Sequence, residues 1–146
     1  MADLTGLTDL VAGDLLTPVS NALIREYEVE AAVTKGQAVY LSSDGKIGPA
    51  TSAQNCIGIA LQTKSVGEMC SVAGPGARVK VEVGGAITRG QRVYGGDASA
   101  RVLALADQAV DEGGTATYTI YYSRGFAKAE QSASAAGDFI SIIVGA

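Results

Sequence analysis

The chain has 146 residues, a length that suits one domain or two small lobes sharing a core. Hydrophobic residues make up 47% of it and aromatics only 5%, so the interior must be built from Val, Ile, Leu and Ala. A net charge of −4, from 15 acidic and 11 basic side chains, supplies no electrostatic footprint for a phosphate backbone and argues against nucleic acid as a direct partner.

No apolar run approaches the roughly 20 residues of a membrane span, and the start MADLTGLTDLVAGD lacks the basic and apolar regions of a signal peptide. The expectation is a protein made in the cytoplasm with no membrane partner. The sequence has no His, which removes the commonest general base and metal ligand and rules out Ser-His and Cys-His nucleophile arrangements. With 19 Gly and 3 Pro, the composition fits short strands joined by tight turns, a mainly β fold with little helix.

Residues 1–28 stand apart in character. LTDLVAGDLLTPVSNALI is apolar without strand alternation or a strong helical stripe, as in an ordered edge or an arm that orders when it docks. Leu15 to Ile24 is helix-like but weakened by Pro18. Glu26, Glu28 and Glu30 alternate on one face of a strand; crowded like charges there can raise a pKa for acid chemistry, but a solvated face is the simpler reading.

Beyond residue 28 the strand signals multiply. Asp44-Gly45 marks a hairpin, Gly74-Pro75-Gly76 a second turn, and Cys56 and Cys70 read as small buried hydrophobes rather than metal ligands. In Ala77 to Val83 the period of two places Val79, Val81 and Val83 on one face and Arg78, Lys80 and Glu82 on the other. Gly84-Gly85, Gly95-Gly96 and Gly113-Gly114 lack the strand-to-helix setting of a phosphate cradle and read as turn glycines. Val102 to Val110 is helix-like without a clean cap, Thr115 to Tyr122 and Phe139 to Val144 read as strands, and the Ala- and Ser-rich Ala127 to Gly137 reads as an exposed loop.

The chain also repeats itself. Val33-Thr34-Lys35-Gly36-Gln37-Ala38-Val39-Tyr40 is answered 54 residues on by Ile87-Thr88-Arg89-Gly90-Gln91-Arg92-Val93-Tyr94. Gly67-Glu68-Met69-Cys70-Ser71-Val72 is answered 70 residues on by Gly137-Asp138-Phe139-Ile140-Ser141-Ile142. Two related β-units follow, about 29–83 and 84–146, with an insertion in the second around Asp107 to Thr117. The shared Lys/Arg-Gly-Gln admits a ligand site, but a tight glycine turn followed by Gln and Tyr accounts for it structurally. Tyr27, Tyr40, Tyr94, Tyr118, Tyr121 and Tyr122 outnumber Phe and Trp; a ring with one wet end fits subunit interfaces, for which Tyr27, Tyr40, Tyr94 and Tyr121 are the candidates, and equally fits sheet margins.

Taken in order, Val33 to Tyr40, Asp44-Gly45-Lys46, Ile57-Gly58-Ile59-Ala60, Gly67 to Val72 and Val79-Lys80-Val81 resemble the capsid decoration, or cement, proteins of tailed bacteriophages. The resemblance covers roughly residues 25–100. It implies a small β-barrel or β-tulip-like domain on the exterior of the virion capsid, usually a homotrimer, that stabilises the head by bridging neighbouring major capsid proteins. It further implies that residues 1–28 are an arm adding a strand to a capsid subunit, with Leu4, Leu7, Leu10, Val11, Leu15, Leu16 and Val19 as contacts. No cofactor and no catalysis are called for. The alternatives are a ligand- or carbohydrate-binding barrel of a phage tail or fibre, a tail-tube or head-completion subunit, and an enzyme using Glu26, Glu28 and Glu30 or Asp97.

Overall fold

The computed structural model describes residues 10–18, 22–105 and 124–145. They contain ten strands and no α-helix: β1 (Ile24–Val29), β2 (Ala38–Ser43), β3 (Lys46–Pro49), β4 (Cys56–Ala60), β5 (Met69–Ala73), β6 (Arg78–Glu82), β7 (Arg92–Gly95), β8 (Val102–Ala104), β9 (Ala127–Ala129) and β10 (Phe139–Val144). The first five close into a barrel in the order β1-β3-β2-β4-β5, and the last five form a second sheet in the order β6-β10-β9-β7-β8. This is the mainly β, two-unit barrel architecture expected from the sequence.

The two sheets are built alike. Tyr27 pairs with Cys70 between β1 and β5, and Val81 with Ile140 between β6 and β10, the positions reached by the two sequence offsets. Parallel pairing of Val29 with Ile47 closes the barrel, and a lone parallel bridge from Val83 to Val102 closes the second sheet at the equivalent place. Strand pairing puts Arg78–Glu82 in the second sheet and Ile24–Val29 in the first, so each structural unit begins one strand earlier than the sequence bounds. Residues 24–28, assigned to the arm on sequence, are barrel wall.

The repeated turn explains the repeated motif. Gly36 and Gly90 hold φ of +94° and +88°, where a side chain is strained, and each N–H donates at 2.8 Å to the carbonyl of Ala60 or Ala129. The Gln37 and Gln91 side chains then accept from the Thr34 and Thr88 N–H groups at 2.9 and 3.0 Å. Lys-Gly-Gln and Arg-Gly-Gln are turn-closing devices. Gly45, at φ +72°, closes the β2–β3 hairpin, and Gly76, at φ +88°, turns β5 into β6.

A large core joins both units: Val79, Val81, Val83, Val93, Ile140 and Ile142 meet Ala38, Ile59 and Ala73 from the barrel wall. A smaller core of Val29, Val33, Val39, Ile47, Ala60, Cys70 and Val72 fills the barrel. Alternation along β6 and into Val83 buries Val79, Val81 and Val83 as expected, but Lys80 is buried too, its ammonium donating to the Leu10 carbonyl at 2.9 Å and lying 5.6 Å from the Phe139 ring centre.

Four expectations need correction. Val102 to Ala104, read as helix-like, is strand β8, because cross-strand pairing with β7 outweighs an uncapped helical tendency. Leu15, read as the start of a helix, instead bridges to Val79, and Ile24 begins β1. Within Ala127 to Gly137, read as loop, Ala127 to Ala129 form β9 between β10 and β7, and Ala127, Ala129 and Ala133 are buried in the large core. Gly95 is no turn glycine: a Cβ there would lie 2.6 Å from both Ala38 and Cys56, so it permits the close approach of the two units. The Thr115 to Tyr122 strand, the Asp107 to Thr117 insertion and Gly113-Gly114 lie outside the described residues, although the extra length of the second unit falls between β8 and β9.

Candidate functional site: an open barrel mouth

Residues 10–17, expected to bind a capsid subunit, are occupied within their own chain. Gly13 N–H donates to the Lys80 carbonyl at 2.7 Å, Lys80 N–H to the Asp14 carbonyl at 3.0 Å, and Leu16 N–H to the Arg78 carbonyl at 2.8 Å, so the segment lies antiparallel along the outer edge of β6. Leu15 packs onto the large core, while Val11 is 58% exposed. The Lys35 ammonium, 2.5 Å from the Asp14 carboxylate, and then the Val11 N–H hold that carboxyl below its ordinary range. Leu4, Leu7 and Val19 lie outside the described residues, as does Tyr121.

The remaining tyrosines do not converge on one patch. Tyr27 packs on the barrel core and Tyr40 on the larger one, and both line hollows at one end of the barrel. Tyr94 sits half-buried in β7 opposite Leu103 and lines neither.

The barrel is open at the end where β1 and β4 begin and β5 finishes. Tyr27 and Leu41 share inner faces with the core residues Val29 and Val39, but at this end Tyr27 is only half-buried and Leu41 is exposed. With Ile57, Val72 and Pro75 they line a hollow of about 340 Å³, and Arg25 stands at its rim. Leu41 is 48% exposed, and a second hollow, of about 550 Å³, continues from it past Tyr40 and Asn55 to Arg124. An apolar cup with a guanidinium at its rim is suited to binding.

The wall is open because β3 is short: it pairs with β1 only at Glu28 and Val29. Gly74 N–H donates to the Leu23 carbonyl at 2.8 Å and Val29 N–H to the Glu68 carbonyl at 2.9 Å, so alternate residues of β1 face β5. Ile24 and Glu26 therefore turn their N–H and C=O groups the other way, toward a side with no strand partner among the described residues.

The proposed acid chemistry finds no support. Glu28 is paired with Lys46 at 2.9 Å, and hydrogen bonds from Ser43, at 2.6 Å, and Ser42 lower the Glu30 pKa, the direction opposite to an acid catalyst. Burial pushes Asp97 up, but the Arg101 N–H and guanidinium and the Ser99 N–H outweigh it and hold the carboxyl low. Burial pushes the Cys56 thiol to about 12 and raises that of Cys70, so both stay protonated, and both are free. Among the described residues no cluster of three or more potential metal ligands exists.

Sequence reasoning missed Leu41, Ile57 and the β1 edge. One signal was present: the offset of 54 sets Arg25 against Val79, a charged residue where the other unit has a core valine.

A family model described as phage cement protein matches residues 26–144. No curated protein sequence matches the chain. Among solved structures, the N base of head fiber gp8.5 of bacteriophage phi29 superposes with a TM-score of 0.55 at 16% identity, over 84% of this chain and 93% of that one, a likeness of fold.

Proposed function

The chain belongs to the phage cement protein family, a family of phage structural proteins, and from that premise we propose that it is a head decoration subunit. In this reading it sits on the outside of the capsid as a homotrimer and stabilises the shell by bridging neighbouring major capsid proteins. The observation that carries the reading beyond family membership is the open barrel mouth. It offers apolar surface and unpaired main-chain groups, the means by which proteins bind proteins, and no group poised for chemistry. The fold neighbour is the base of a head fiber, which suits attachment at a head surface. Each trimer contact can be weak, because the contacts that follow the first form at high effective concentration.

Light scattering and sedimentation test this. The purified protein should have three times the 14.7 kDa chain mass and pellet with expanded heads that lack decoration. A monomer, a ring of six, or a protein left in the supernatant would overturn the reading.

A further inference from the structure

One difference between the two units identifies a missing strand. In the second unit the edge of β6 at Arg78 and Lys80 is paired with residues 13–16, and Leu15, directly opposite Val79, packs against the large core to which Val81, Ile142 and Val144 belong. The same offsets carry Arg78 and Lys80 to Ile24 and Glu26, whose outward main-chain groups have no strand partner among the described residues. They carry Val81 and Ile142 to Tyr27 and Val72, which line the open cup. What residues 13–16 do for the second unit, nothing described does for the first.

We propose that the β1 edge is an acceptor for an extended segment of a shell protein, which adds antiparallel to β1 and places a large apolar side chain opposite Arg25, in the cup. This rests on the decoration reading and reverses the direction of strand exchange expected from sequence: this chain receives a strand. The chemistry of the occupant is fixed by the site. Main-chain bonding to Ile24 and Glu26 requires an extended segment without proline at the paired positions. The cup requires a Leu-sized apolar residue, as Leu15 is on β6. Arg25 makes no ion pair or side-chain hydrogen bond among the described residues, so the segment carries a carboxylate on the same face, two residues from the apolar one. Residues 13–16 are themselves committed to β6, with Leu16 at the level of Arg78 and Gly13 at the level of Lys80.

Amide hydrogen exchange on the whole protein, free and bound to undecorated heads, tests the proposal. The Ile24 and Glu26 amides should exchange rapidly in the free trimer and slow at least tenfold on heads, while Arg25 and Tyr27, bonded to β5, are protected in both. Leu41→Asp, at an exposed position, and Glu26→Pro, which removes an outward-facing N–H, should each weaken head binding at least tenfold and leave the trimer mass unchanged. Protection of Ile24 and Glu26 already in the free protein would show that the edge is filled by this chain or a copy of it, and would overturn the proposal. So would full head binding by both variants, which leaves the decoration reading standing. Failure of the wild-type protein to bind heads at all overturns both.

Discussion

Gly36 and Gly90 occupy the same turn in the two units with nearly the same φ, +94° and +88°, yet their surroundings differ. A Cβ on Gly90 meets nothing within 4 Å, whereas one on Gly36 would lie 2.7 Å from the Ala12 Cβ and 2.9 Å from the Ala12 carbonyl carbon. Gly90→Ala should therefore cost only the left-handed backbone strain, about 1–2 kcal/mol. Gly36→Ala should cost that amount plus displacement of residues 10–17, whose hydrogen bonds to β6 contribute roughly 0.5–1.5 kcal/mol each. A difference of about 2 kcal/mol or more is expected in urea unfolding, and amide exchange at Gly13 and Leu16 should accelerate in Gly36→Ala alone. Equal losses in the two variants, with those amides unchanged, would refute the packing of residues 10–17 on the first-unit turn and, with it, the template on which the strand-acceptor argument stands.

Other outcomes follow from the same geometry. Ile142→Ala, at a fully buried position of the joint core, should lose about 2–5 kcal/mol in denaturant unfolding, whereas Leu41→Ala at the exposed mouth should change stability by about 0.5 kcal/mol or less. The Asp14 carboxyl is held below its ordinary value of 3.8, so its pairing with Lys35 stabilises the fold above that value and is lost as pH falls through the lower, folded-state pKa. Urea midpoints measured from pH 7 to 2 should drop mainly below about pH 4, and less steeply in Asp14→Asn. With Cys56 pushed to about 12 and Cys70 also raised, neither thiol should react with iodoacetamide at pH 8 until the protein is unfolded, a test read directly by mass spectrometry.

Much of the fold was legible because it lies in local pattern. The Lys/Arg-Gly-Gln turns, the Asp-Gly hairpin and the alternating valines of β6 each dictate their structure within a few residues, and the offsets of 54 and 70 relate the two sheets strand by strand. What local pattern cannot carry is where an edge stays unpaired. The opening beside β1 exists because β3 reaches only Glu28 and Val29, a matter of register between residues nearly 20 positions apart. The place of residues 13–16 was hidden for the same reason, since their partners in β6 lie more than 60 positions away. Ala127 to Ala129 misled because alanine-rich sequence looks like loop, and only pairing with β10 and β7 makes it a buried strand.

The central claim, that this cement-family chain decorates the outer surface of a phage head, is tested most directly by electron cryomicroscopy of expanded heads with and without the protein. The account predicts added trimeric density on the exterior, at three-fold and quasi-three-fold positions, with the β1 edge against the shell. Density inside the head, density confined to the tail, or no added density at saturating protein would contradict it.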